Sequence, residues 1–415
     1  MVSGELRHAL REIDVPTAVI DRDALDANLD ALADRAHGLP IRVATKSLRT
    51  LPAIERALAH PAFSGVLAFS LLEALTLHDR GITDIVVGYP SVDRTSLRRL
   101  LSDPSARSSI TLMVDSTDHL HLLTEVAATL PDAPDTVTAG APAPVPADTT
   151  APPLRVCIDI DASYRLGEGR FGDRFHIGAR RSPLREVTDV VDLTEQIRAR
   201  PGLRLVGLMA YEGQIAGTAD AGRTPSQMVV RAMQARSAAE LAARRHRIVS
   251  AVRAITDLEF VNGGGTGSLE TSTAEGTLTE VACGSGLFSP GLFDGYTRFR
   301  HDPAAYFVTP VVRRPGPGWV TVSKGGFIAS GVPGPDRVPT IAWPAGLDYS
   351  PLEAAGEVQT PLQGPGTELL RLGDLVWFRH AKAGELAEHF ARFLVVADGE
   401  VTDSWTTYRG EGWVL

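Results

Sequence analysis

Residues 258–286, LEFVNGGGTGSLETSTAEGTLTEVACGSG, contain two short β-rich runs, Leu258–Asn262 and Leu278–Ala282, each opening into a loop of glycine, serine and threonine. Runs of four to six apolar and β-branched residues bounded by glycine read as buried strands, not as helices. Working outward, six further runs of the same kind lie upstream: Ile41–Thr45, Gly65–Phe69, Asp84–Val87, Ile110–Val114, Arg155–Asp159 and Arg204–Leu208. Most are separated by helix-compatible stretches such as LPAIERALAH, LLEALTLHDRG and the long run from Thr224 to Thr256, and an amphipathic helix starting near Asp23 precedes them all. Eight strands alternating with helices over roughly 250 residues are the signature of a (β/α)8 TIM barrel. The gap between the last two strands leaves room for no more than one turn of helix.

Beyond about residue 300 the helical periodicity stops. Proline and glycine clusters separate short runs such as TPVVRR, GWVTVSKGGF, VPTIAW, GDLVWF and RFLVVADG, which predict a mostly β domain. The expected organisation is therefore α/β: a barrel over 15–300 and a β domain over 301–415, joined by 1–14. The segment PTAVID (16–21) either opens the barrel or pairs with the β domain. Residues 131–153 carry seven prolines, six alanines and no aromatic residue. Such a stretch buries too little apolar surface to offset its ordering entropy and is expected to be a disordered surface insertion.

Composition narrows the function. Lys plus Arg number 41 against 50 Asp plus Glu, a net charge of −9 with no basic stripe, which argues against a nucleic-acid partner. Two distant cysteines, Cys157 and Cys283, exclude a disulfide scaffold and a four-cysteine zinc site. No apolar run approaches the ~18 residues a membrane span needs, and the N-terminus has no signal-peptide pattern. The expectation is a cytoplasmic enzyme with a small-molecule substrate.

In a barrel the chemistry sits where strands end. The first strand ends at Lys46, the fifth runs into Ala162-Ser163-Tyr164-Arg165, and the sixth into Tyr211-Glu212-Gly213-Gln214. The seventh and eighth give Gly263-Gly264-Gly265-Thr266 and Cys283-Gly284-Ser285. Glycine loops on neighbouring strands suit a phosphate, because backbone N–H groups can approach it; a plain flexible turn is the alternative. Lys46 is either a salt-bridged rim lysine or an amine facing the barrel mouth. A lysine together with a phosphate loop is what pyridoxal phosphate requires.

The ordered motifs PTAVID, RVATKSLR, VCIDIDASYRLG, LVGLMAYEGQ, EFVNGGGTGS and TEVACGSGLF resemble those of the alanine-racemase-type (fold type III) pyridoxal phosphate enzymes, nearest the D-threonine aldolase and D-serine dehydratase branch. The resemblance runs from about Pro16 to Phe288 and resumes near Glu357 and His380. It implies Lys46 as the Schiff-base lysine. Arg42, four residues earlier on the same strand face, would be a basic residue near the cofactor. Arg165 would lie near the phenolic oxygen and Tyr211 along the ring, while Gly264, Gly265, Thr266, Gly284 and Ser285 would take the phosphate. For Arg165 and Tyr211 the alternatives are a structural rim arginine and a core tyrosine.

The chain also departs from that branch. Where the branch carries a His-x-Cys or His-x-Asp metal pair, this chain reads Arg379-His380-Ala381-Lys382, and an upstream Glu-His-Gly is replaced by Glu357-Val358-Gln359. A protonated lysine has no lone pair to offer, so no divalent metal is expected. Instead, the Lys382 ammonium would stand in the metal's place with His380 as general acid/base, unless both are surface residues. The position under the ring nitrogen reads Ala282, leaving Glu280 or water to serve it. The implied activity is a lyase on a β-hydroxy-α-amino acid, by retro-aldol cleavage or dehydration with deamination, in a homodimer. A racemase using Tyr306, Tyr349 or Tyr408, and a non-catalytic cofactor-binding protein, are the alternatives.

Overall fold

The computed structural model describes residues 2–130, 152–165 and 176–415. The proline-rich stretch expected as an insertion lies outside them through residue 151. In chain order the strands are β1 (Thr17–Asp21), β2 (Ile41–Ala44), β3 (Phe63–Ala68), β4 (Ile85–Val87), β5 (Ile110–Val114) and β6 (Leu154–Asp159). A two-residue pair follows, β7 (Tyr164–Arg165) and β8 (His176–Ile177), then β9 (Leu203–Ala210), β10 (Phe260–Gly263) and β11 (Glu280–Cys283). Strands β2–β6, β9, β10 and β11 close into one parallel barrel, so all eight expected barrel strands are present within a few residues of their expected bounds. Between β10 and β11 the helix is a single turn, Leu269–Thr273, as the short gap required.

Residues of β2, β5 and β11 are buried at every position, which is why they read as continuous apolar runs instead of alternating ones. Inside the barrel, Val86, Met113, Cys157, Val206, Met209 and Phe260 form one cluster against Leu67 and Tyr211. Each such side chain contributes about 1.5–3 kcal/mol of transfer free energy. The helix Pro225–Arg253 is the longest of the described elements. It opens on Thr224, whose hydroxyl accepts from the Gln227 N–H while the Gln227 side chain accepts from the Thr224 N–H. That reciprocal cap and the proline at its first position fix where the helix begins.

The second unit is an antiparallel-rich sheet. It contains β12 (Ala305–Gly316), β13 (Trp319–Ser323), β14 (Thr340–Trp343), β15 (Asp348–Tyr349), β16 (Gln359–Gln363), β17 (Leu375–Arg379), β18 (Arg392–Ala397) and β19 (Glu400–Thr406). Strand β1 lies between β12, antiparallel, and β18, parallel. PTAVID therefore pairs with the β domain. Val2, Leu6 and Leu10 of the N-terminal segment join Val19, Tyr306, Val308, Trp377, Leu394 and Val396 in its core. The boundary expected at residue 15 is corrected accordingly: one compact unit takes residues 1–32, 46–60 and 284–414, the other 33–45 and 61–283. No described helix is long and apolar enough to cross a membrane.

Candidate active site

Lys46 lies in the one-turn Thr45–Ser47 helix that follows β2, at the carboxyl end of that strand. The turn is pinned within its own unit. Gly384, at φ +99°, packs directly on the Lys46 carbonyl, where any side chain would collide. Arg49 Nε donates to the same carbonyl at 3.1 Å, and its Nη1 reaches Glu388 at 2.5 Å. The Tyr408 N–H donates to the Arg49 carbonyl at 2.9 Å. Lys46 is thus held by contacts made within its own unit.

In the barrel unit, polar side chains gather where β4, β6, β9 and β10 end. Arg165 Nη2 donates to Asp161 at 2.8 Å, while its buried Nε has no partner among the described residues. Burial would raise the Asp161 carboxyl, but hydrogen bonds from Ser163 and the charge of Arg165 outweigh it and hold the group below its ordinary value. Asp159, the last residue of β6, is different. Burial pushes its carboxyl up to about 7; Arg181 opposes the shift, and Asp115 and Asp161 add to it. Tyr211 follows β9, with its ring 3.2 Å from where a side chain on Gly265 would begin. Burial raises its hydroxyl to about 12, so it stays protonated. The Arg181 guanidinium lies 4.9 Å from the Tyr211 ring centre and 5.1 Å from that of Tyr89.

The glycine loop after β10 is tied into the barrel unit by hydrogen bonds. Glu212, nearly fully buried, accepts from the Gly264 N–H at 3.1 Å, the Ser268 hydroxyl at 3.3 Å, Ser272 and Arg245, and Arg245 also pairs with Glu275. The Gly265 N–H donates to Ser268 Oγ at 3.1 Å. Two N–H groups expected to face a phosphate are therefore committed inside the protein. The Thr266 side chain bonds the Cys283 thiol, which burial raises to about 12 and so keeps unreactive. Gly284 and Ser285 open the one-turn helix Ser285–Phe288 directly after β11, the strand paired with β10.

Arg42 stands elsewhere. Its guanidinium donates to Glu280 through Nε and Nη2, both at 2.8 Å, and to the Asp84 carbonyl and carboxylate at 2.9 and 3.0 Å. Glu280 begins β11 and Asp84 precedes β4, so this cluster lies at the amino-terminal end of the barrel, away from the residues around Tyr211. Strand geometry ends at Ala44, so the two-residue alternation linking Arg42 to Lys46 does not carry through. Glu280, bound also by Asn262 at 2.8 Å, is likewise unavailable as a ring-nitrogen partner.

The expected pairing of His380 with Lys382 is not formed. His380 is 3% exposed; its Nδ1 lies 3.2 Å from the Ala305 carbonyl and its Nε2 has no partner among the described residues. Burial, reinforced by Arg379, lowers its pKa to about 3, so the imidazole is neutral at pH 7. Lys382 is exposed and turns to Ser330 Oγ at 2.7 Å, with Glu385 at 4.0 Å. Strand β17 ends at Arg379, so these residues do not share a strand face. A lysine ammonium offers no lone pair, so His380 and Lys382 by themselves do not make a ligand pair for a divalent metal. The tyrosines that a racemase would draw on are enclosed: Tyr306 and Tyr408 are each 3% exposed, and Tyr349 donates to the Pro339 carbonyl at 2.8 Å.

Within the barrel unit, an arginine whose buried Nε has no partner among the described residues and a tyrosine against a glycine loop suit pyridoxal phosphate, and the chain supplies a lysine directly after the first barrel strand. The family model for the alanine racemase N-terminal domain matches residues 20–289, and the chain belongs to that family. Among curated relatives, D-threonine aldolase of Arthrobacter sp. is 28% identical over 408 residues, covering 95% of this chain and 92% of that protein. Among solved structures, D-threonine aldolase from Filomicrobium marinum superimposes with TM-score 0.74 at 22% identity, covering 98% of this chain and 97% of the other. D-threo-3-hydroxyaspartate dehydratase from Delftia sp. gives TM-score 0.69 at 21% identity, covering 96% and 98%.

Proposed function

We propose that this protein is a pyridoxal-phosphate-dependent lyase acting on β-hydroxy-α-amino acids. The observation that carries the reading is the similarity to D-threonine aldolase, which spans 95% of the chain and so includes the β domain as well as the barrel. When bound, the cofactor supplies an electron sink that stabilises negative charge at the substrate's Cα. Lys46 provides the amine that anchors the cofactor's aldehyde. Arg165, whose buried Nε has no partner among the described residues, would be the arginine beside the cofactor's ring oxygen. Tyr211, protonated at neutral pH, lines the site as a hydroxyl donor. Asp159, buried at the end of β6, has its ionisation raised toward neutrality by that burial. No step is assigned to a metal at His380 and Lys382.

The test is a screen of D- and L-threonine, serine, phenylserine and 3-hydroxyaspartate with cofactor-loaded protein, scoring aldehyde and ammonia separately. Aldehyde with glycine identifies retro-aldol cleavage; ammonia with a keto acid identifies dehydration. Neither product from any of them, in protein that has bound the cofactor, would overturn the reading. Metal analysis with chelator treatment runs alongside: activity is expected to survive chelation. We also infer a homodimer, on the resemblance to fold type III enzymes, which light scattering checks.

A further inference from the structure

The barrel unit is rich in arginine, and most of those near its polar clusters meet a carboxylate. Arg42 pairs with Glu280, Arg155 with Glu259, Arg165 with Asp161, Arg244 with Glu240 and Arg245 with Glu212. Arg181 does not. Its contacts among the described residues are the two tyrosine rings, Tyr89 at 5.1 Å and Tyr211 at 4.9 Å, and it remains exposed.

Those rings arrive from different strand ends, Tyr89 two residues after β4 and Tyr211 directly after β9. Contact with two rings restrains the guanidinium and desolvates part of its surface, leaving N–H donors open. A planar guanidinium so presented recognises a carboxylate or phosphate through two parallel hydrogen bonds. Its charge is felt by the buried Asp159, but Asp159 is held near neutrality and does not cancel it fully at pH 7. Tyr211 ties the position to the loop after β10, because its ring also lies against Gly265. In that loop the Gly264 and Gly265 N–H groups are already taken by Glu212 and Ser268, so an arriving anion needs a donor from elsewhere.

We propose that Arg181, set between Tyr89 and Tyr211, is the oxyanion receptor of the active site and binds either the substrate's carboxylate or the cofactor's phosphate. The inference rests on the lyase reading for what enters the site, but its test does not need turnover. Glycine and glycinamide serve as amino-acid probes, since neither has a β-carbon to lose.

Pyridoxal phosphate is titrated into cofactor-free wild type, R181Q and R181K, followed by absorbance. Glycine and then glycinamide are titrated into the cofactor-saturated forms, with melting curves as a folding check. R181Q is expected to weaken one of the two ligands by about 10–100-fold, the scale of a lost charge-assisted pair. R181K should restore only part of it, because an ammonium cannot form the two-pronged contact. Weaker glycine binding, with glycinamide and cofactor unchanged, assigns the carboxylate. Weaker cofactor binding, with glycine unchanged at saturation, assigns the phosphate. Both ligands within twofold of wild type in R181Q overturn the proposal. Normal binding of glycine and cofactor by a wild-type protein that releases neither aldehyde nor ammonia would instead count against the lyase reading and leave the Arg181 result standing.

Discussion

The two ends of the barrel use the same residue types in opposite ways. At the amino-terminal end, Arg42 is bonded by Glu280 and Asp84, and Arg155 and Arg204 share Glu259 at 2.5 and 2.8 Å. At the carboxyl end, Arg165 keeps a buried nitrogen without a partner among the described residues, Arg181 contacts tyrosine rings, and Asp159 is pushed up to about 7. Paired charges hold strands in place and have little left to offer a ligand. Incompletely paired ones cost stability and are retained where something binds. Arginine by itself is therefore uninformative; whether its partners are complete is what separates scaffold from site.

The largest expected effect tests the open end. Lys46→Ala should lower turnover at least about 10³-fold, as removal of an essential nucleophile does, while circular dichroism stays unchanged. Retention of a tenth of wild-type turnover would remove Lys46 from the chemistry and with it the reason to call that end functional.

The closed end should fail differently. Arg42→Ala leaves Glu280 buried without its guanidinium partner and should cost about 3–5 kcal/mol of stability, read by denaturant titration. Cofactor affinity should stay within twofold. Replacing both partners, Arg42→Met with Glu280→Leu, should recover most of the loss, because an apolar pair leaves no uncompensated charge. A tenfold loss of cofactor affinity in Arg42→Ala at unchanged stability would restore Arg42 to the active site and erase the contrast between the ends.

That contrast also explains what was legible in the sequence. The eight barrel strands were, because buried strands are written locally in runs such as ITLMV and FVNG, and so was the lysine that follows the first of them. Arg42 was misplaced because alternation was carried past a strand end, and the pairing of His380 with Lys382 because a motif position was carried over from a resemblance without the packing that buries one side chain and exposes the other. Strand β2 stops at Ala44, and beyond that point neighbours two or four apart no longer face the same way. Asp159 was available as the terminal residue of a recognised strand, but its burial, which sets its ionisation, is a property of the packed barrel. Arg181 had no local signal at all. It matters through Tyr89 and Tyr211, which lie 92 residues before it and 30 after it in the chain.

A pH experiment sharpens the open end. In the folded protein Asp159 keeps its proton up to about pH 7, whereas the unfolded carboxyl releases it near 3.8. Between those values the folded state binds more protons, so this group's contribution to stability falls as pH rises and stays low above 7. Asp159→Asn does not titrate. Its melting temperature relative to wild type should therefore climb between pH 4.5 and 8. A difference that stays flat across that range would mean the carboxyl is ionised throughout, with Arg181 as its partner, and the carboxyl end would then be closed like the other.

The smallest effect is expected at Lys382. Its side chain is 45% exposed, bonded to Ser330 Oγ at 2.7 Å and 4.0 Å from Glu385, on the far side of a strand end from Arg379. An exposed pair of this kind is worth at most about 1 kcal/mol, and solvent screening reduces it further. Lys382→Ala should leave both melting temperature and turnover close to wild type. The informative comparison is with His380→Ala, which removes a buried ring packed edge-on against Phe288 at 6.4 Å and should destabilise the β-domain unit. If Lys382→Ala instead abolished turnover without touching stability, the ammonium would be acting on substrate from an exposed loop. Incomplete pairing would then stop being a guide to function in this protein, because Lys382 has its partners whereas Arg181 meets no carboxylate among the described residues.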